Sequence, residues 1–131
     1  MIASIDLQTA VFASLSLGEW QVFESVPPKT SMPYITIGDA SQSNDNTKTS
    51  KRKVFNLMIH TWSKGTDSTE SKMMDNFVQE MLLEQDLMLF NHDLDMVSLE
   101  MAIGQKETLT DTNIFHTSLE FEITLTEKGD Y

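Results

Sequence analysis

Apolar and polar positions divide the chain into two helical stretches separated by short extended ones. Between Ile5 and Leu15, Ile5 and Phe12 fall two turns apart. Leu7, Val11 and Leu15 form a neighbouring row, so one side of a helix is apolar. Ser4 stands where a cap belongs and Gly18 lies just past the end. Trp20-Gln21-Val22-Phe23-Glu24 reads as a short strand, and Val26-Pro27-Pro28 ends it because proline cannot donate to a sheet ladder. Pro33 opens a second strand where its missing N–H does little harm, and Gly38-Asp39 is expected to close it. Residues 40–53 are almost wholly polar and read as a mobile loop ending in Lys51-Arg52-Lys53.

The next strand, Val54 to Trp62, is apolar on both faces, with Phe55, Leu57 and Ile59 on one and Val54, Met58 and Trp62 on the other. Such a strand is expected to be central and covered on each side, by a helix or by another subunit. Lys64-Gly65-Thr66 turns the chain. Asp67 and Glu70 have capping-box spacing and predict a helix to Gln85. Met73, Phe77 and Met81 form one row on it, and Met74, Val78 and Leu82 another, which is a core stripe. Two further strands complete the chain. Leu94 to Ile103 places Val97, Leu99, Met101 and Ile103 on one face. Ile114 to Leu125 turns Phe115, Leu119, Phe121, Ile123 and Leu125 inward and His116, Ser118, Glu120, Glu122 and Thr124 outward. Centring the connection between them pairs Val97 with Phe121 and Leu99 with Leu119, and sets Glu100 opposite Ser118. The expected fold is α+β: a mainly antiparallel sheet of about four to five strands packed by two helices. It forms a single domain over 1–131, with a long polar loop at 40–53.

Composition narrows the function more than the fold. A chain of 131 residues with 40% hydrophobic content can bury roughly two-thirds of its unfolded surface. No apolar run approaches the ~18 residues of a membrane span, so no membrane partner is expected. The start lacks a basic region, and Asp6 and Gln8 interrupt its apolar residues, against a signal peptide. Absence of cysteine removes disulfides and thiolate metal sites and fits assembly in a reducing cytoplasm. The net charge of −11 is concentrated in one half: acids and bases cancel over 1–74, whereas 75–131 carries thirteen acids against Lys106 and Lys128. That half would repel phosphates, which argues against nucleic-acid binding through it. Solubility is the plainer account of the same charge.

No reactive constellation emerges. His60, His92 and His116 lie on three different elements, and no spacing matches a ligand pattern, so no metal or cofactor is expected. His60 and His116 should pack beside neighbours on a sheet face. Glu120 and Glu122 share a strand face and imitate a carboxylate pair, but a catalytic pair needs burial to separate its pKa values. Gly38, Gly65 and Gly104 read as turn residues rather than parts of a phosphate loop. Nine methionines supply a soft core or an adaptable contact surface.

The order of elements nevertheless has a likeness. An N-terminal helix precedes Val22-Phe23-Glu24 and Val26-Pro27, then Pro33-Tyr34-Ile35-Thr36-Ile37-Gly38 and a Thr/Lys-containing arm. Leu57-Met58-Ile59-His60-Thr61-Trp62-Ser63, one long helix and the strand Phe115 to Phe121 complete it. This resembles the tail-completion, or tail-to-head joining, proteins of long-tailed bacteriophages over nearly the whole chain. The resemblance implies a virion structural protein, not an enzyme, assembled in the host cytoplasm. It would form a ring, expected to be a hexamer, that caps the head-proximal end of the tail tube. Its partners would be itself, the tail tube protein and the head connector or stopper, with DNA passing through unbound. Under that reading Asn44, Asp45, Lys48, Lys51, Arg52, Met58 and Trp62 are interface candidates, and Glu100, Glu120 and Glu122 are candidates for an acidic lumen face. Another neck component, such as a head-closure stopper, is the nearest alternative. A small ligand-binding domain or enzyme subunit using His60, His116 and the Glu120/Glu122 face is the alternative from a different class.

Overall fold

The computed structural model describes residues 2–44 and 51–128. Its elements are α1 (Ala3–Leu15), β1 (Gln21–Phe23), β2 (Tyr34–Asn44), β3 (Arg52–Gly65), α2 (Thr69–Gln79), β4 (His92–Thr108) and β5 (Asn113–Glu127). They build one open five-stranded sheet in the order β1-β2-β3-β5-β4. Only the β1–β2 pair is parallel; the other three are antiparallel.

Both helices cover the same face of this sheet. Ile35 and Ile37 of β2, Phe55, Leu57 and Ile59 of β3, and Leu119, Phe121, Ile123 and Leu125 of β5 point into one core. Leu7, Val11 and Leu15 of α1 and Met74, Val78 and Leu82 meet them there. Period-two alternation therefore sorts each central strand into a helix-covered set and an opposite set. β3 is central, as its two apolar faces predict, but only one face is covered among the described residues. Val54, Asn56, Met58, His60 and Trp62 on the other face are only partly buried.

Several local expectations change for identifiable reasons. β2 does not end at Gly38-Asp39. It bulges there, since Ile37 pairs with Ile59 and Ala40 with Leu57, and then continues through Ser41, Gln42 and Ser43 to Asn44. The polar stretch 40–44 is thus strand, held by its ladder to β3 rather than by burial, and the connection expected over 40–53 is correspondingly shorter. The second helix is α-helical only to Gln79 and widens into a π-helical turn at Glu80–Glu84. Its capping box does not form: Asp67 Oδ1 accepts the Thr69 N–H at 3.0 Å, but Glu70 turns back to the Ser63 hydroxyl at 3.1 Å. On α1, Ile5 and Phe12 face outward, while Asp6 is fully buried. Gly18 has a packing reason beyond helix termination, because a Cβ there would lie 2.4 Å from the Phe77 ring, which also meets Trp20.

The β4–β5 register also differs from the centred one. Val97 pairs with Ile123, Leu99 with Phe121 and Ser98 with Glu122, a two-residue offset that preserves the faces. Register then shifts between Leu94 and Met96 and again between Leu99 and Met101. A bulge re-aims the side chains beyond it. Met101 and Ile103 consequently pair with Glu120 and Ser118 on the uncovered face, not with the Val97 and Leu99 side.

Candidate functional site

With both helices on one side, the uncovered sheet face is the surface this fold presents, and its composition is set by register. One row across four strands reads Tyr34, Trp62, His116 and Gln105; the next reads Thr36, His60, Ser118 and Ile103. Below them Met58, Glu120 and Met101 form a row, and beneath it lie Ser41, Asn56, Glu122 and Ser98. One end is therefore aromatic and the middle is mixed methionine and carboxylate.

The aromatic end is tightly organised. Trp62 stacks on His116 with centroids 3.7 Å apart and planes at 6°, while its Nε1–H donates to Thr36 Oγ1 at 3.2 Å. Tyr34 lies 6.3 Å from Trp62, and Phe23 packs edge-on against Tyr34 at 6.0 Å. His60 Nδ1 sits 2.9 Å from His116 Nε2 and 3.1 Å from the Ser118 hydroxyl. A contact that short requires one nitrogen to donate and the other to accept, so at least one ring is neutral. Burial lowers the proton affinity of His60. Burial, and then the neighbouring charge of His60, lowers that of His116. Gly38 permits the close fit, since a Cβ there would be 3.1 Å from His60 Nε2 and 3.1 Å from the Met58 carbonyl.

The histidines expected on separate elements thus meet through register alone. Sequence contains the signal only as parity: both occupy the outward phase of adjacent strands. His92 goes elsewhere. It is buried, and its Nδ1 lies 2.8 Å from Asp6 Oδ2. The Asp6 carboxylate also accepts the backbone N–H groups of Phe90 and Asn91 at 2.8 and 2.9 Å, fastening α1 to the start of β4. Burial pushes the Asp6 carboxyl upward, but these three donors outweigh it and hold the group below the usual carboxylate range. Asp75 plays a similar part for α2, accepting the Thr61 hydroxyl and, at 2.9 Å, that of Thr117. These are joints within the fold. Among the described residues no group of three or more His, Asp or Glu is placed to hold a metal ion.

Of the interface candidates, Met58 and Trp62 lie on the uncovered face. Asn44 accepts the Lys53 ammonium at 3.0 Å at the end of β2, Lys51 is exposed, and Arg52 approaches Asp95 at 3.5 Å. Asp45 and Lys48 lie outside the described residues. Glu120 and Glu122 share the uncovered face. Glu100 occupies the bulge and accepts the Ser98 hydroxyl at 2.6 Å. An open depression of about 530 Å³ borders the aromatic end, lined by Trp62, His116, Ile114 and residues 105–107 of β4. Lys106, Glu107 and His116 are its titratable members.

The family model described as tail completion protein gp17 matches residues 7–126. The chain belongs to the tail completion protein family. It is accordingly a structural component of a virion tail or neck, not an enzyme, as the family resemblance implied. Its fold is similar to a chain in the virion of a native gene transfer agent particle, with TM-score 0.80 and 20% identity, covering 94% of this chain and 96% of that one. It is also similar to the gp17 protein of bacteriophage SPP1, with TM-score 0.54 and 25% identity, covering 100% of this chain and 95% of that one. No curated protein matches it. Among the described residues, no helix of this tail completion protein is long and apolar enough to cross a membrane.

Proposed function

We propose that this chain caps the head-proximal end of the tail tube as a ring of identical copies, six by the family resemblance, and offers the head connector a docking surface. The observation that carries the reading is the uncovered sheet face. At its aromatic end Tyr34 and Trp62 lie outside helical cover among the described residues, in a family whose members complete tails. A monomer gains nothing from presenting organised aromatics to water, whereas an assembled subunit buries them against another component of the tail or neck. Each ring contact would need about 1,200–2,000 Å² to be specific and stable.

The arm after β2 is the second contact. The basic cluster of Lys51 and Arg52 would grip an acidic surface on an adjoining component, and Asn44, Asp45 and Lys48 are further candidates for that contact. Glu120 and Glu122 supply negative charge on the sheet face, and Glu100 supplies it at the bulge. Turned toward a central channel they would repel passing DNA and keep the conduit from binding its cargo.

Electron microscopy of the purified protein mixed with tails and with DNA-filled heads tests the reading. Rings on the head-proximal ends of tails are expected. Density on head connectors in the absence of tails would replace the reading with that of a head-closure stopper. An outer-rim position for Glu100, Glu120 and Glu122 would end the channel role for those residues.

A further inference from the structure

The sheet has two open edges, and they match. β1 pairs with β2 only over Tyr34–Thr36, so β2 from Gly38 to Asn44 has no outer strand among the described residues. β4 is the opposite edge of the sheet along its whole length. A long open edge is a template for another strand, and proteins blunt such edges with bulges and charge. β4 carries those devices in its first half, where the register shifts near Asp95 and Glu100 fall. From Met101 to Thr108 the ladder to β5 runs without interruption. Every residue from Met101 to Thr108, and every residue from Asp39 to Asn44, is exposed. The two segments are similar in length, and neither contains proline.

Direction favours their union. β2 and β5 both run antiparallel to β3, and β4 runs antiparallel to β5, so β4 is antiparallel to β2. Laid side by side, the β4 edge of one copy and the β2 edge of the next meet as an antiparallel pair. In that alignment the far end of the β4 segment, with Lys106 and Glu107, reaches the near end of the β2 segment, with Asp39, so direction rather than charge carries the pairing.

Gly104 adds an independent observation. It sits inside a regular strand, where glycine is weakening. Its φ is not positive, and a Cβ there would meet only the Thr117 hydroxyl, at 4.0 Å. Nothing within the described chain needs a glycine at this position. A strand glycine that its own fold does not require fits the close approach of another backbone.

We propose that neighbouring copies join by continuing the sheet, with Met101–Thr108 of one copy pairing antiparallel with Gly38–Asn44 of the next. The contact is heterologous, so repetition closes a ring when the rotation between copies allows it. This inference rests on the ring reading and specifies its joint. For the helices to stay on one side, outward residues must pair with outward residues. Ile103 therefore lies opposite Ser41 or Ser43.

The chain has no cysteine, so introduced ones report alone. Particles are isolated from cells producing Ile103→Cys, Ser43→Cys, or both together, and treated with a short bismaleimide. Immunoblotting of untreated particles first establishes whether the chain is present. A ladder of covalent multimers in the double variant, with neither single variant cross-linking, is expected. Dimers with Ile103→Cys alone would show two β4 edges meeting across a two-fold axis and would overturn the proposal. So would a chain present in particles that remains monomeric in the double variant after treatment. Absence of the chain from particles would sink the ring reading itself, and this joint with it. Gly104→Leu supplies the second measurement. It should not lower the melting temperature of the purified protein, since glycine is the weaker strand residue, while it reduces the amount of chain per particle by about tenfold or more. Normal incorporation of that variant would also count against the proposal.

Discussion

The two faces of one sheet obey different rules, although alternate residues of the same strands build them. On the helix-covered face, Ile35, Ile59, Leu119, Phe121, Ile123 and Leu125 are all at 0% exposure and belong to one apolar core. On the other face the neighbours of those residues are Trp62, His60, His116, Ser118, Glu120 and Met58, which touch one another but remain partly open to water. Burial energy is concentrated in the first set and chemical variety in the second. The difference teaches where fold and assembly are separately encoded: a substitution on the covered face should unfold the subunit, and one on the open face should leave it folded but unable to join.

The sharpest way to break that contrast is to truncate Phe121. Phe121→Ala should cost about 4 kcal/mol in chemical denaturation, by lost transfer energy and the cavity left behind. Asp6→Ala comes next, at about 3 kcal/mol, because it strands the Phe90 and Asn91 N–H groups and His92 without their acceptor. Its carboxyl is held below its ordinary value of 3.8 in the fold. The stability it contributes is therefore present above that pH and lost as acid protonates it below. An acid titration in which Asp6→Asn melts along the parent curve would remove this account.

On the open face Trp62→Ala should cost the subunit only about 1–2 kcal/mol, the value of its stack on His116 and its bond to Thr36. Attachment to tails should nevertheless be lost, as read by microscopy of mixtures. A Trp62→Ala variant that joins normally would dissolve the distinction between the faces. The smallest effect expected is that of pH on the histidine pair. His60 and His116 have folded-state proton affinities below the ordinary value of 6.5, so the unfolded chain binds protons more readily. Their contribution is whole above pH 6.5 and declines as pH falls through 6.5 toward the lowered folded values. Melting temperature should drop slightly across that window, and the drop should vanish in His60→Gln/His116→Gln.

Much of this protein is dictated by local rules that act over a few residues. Strand alternation in 54–62 and 114–125, the apolar rows at Met74, Val78 and Leu82, and proline at the strand margins suffice to predict two helices and a mainly antiparallel sheet. Strand and turn patterns around Tyr34–Gly38 and Thr61–Ser63 were enough to suggest the family, because such patterns are set by nearest neighbours. Everything that depends on register between distant segments required the assembled sheet. The meeting of His60 with His116 needs the offset of β3 against β5. The outward turn of Met101 and Ile103 needs a bulge that no periodicity announces. The inward turn of Asp6, with its donors 84 to 86 residues away, needs the end of α2 to deliver Phe90, Asn91 and His92 to α1. A hydrophobic pattern states which residues avoid water. Only packing decides which polar groups must find one another once water is gone.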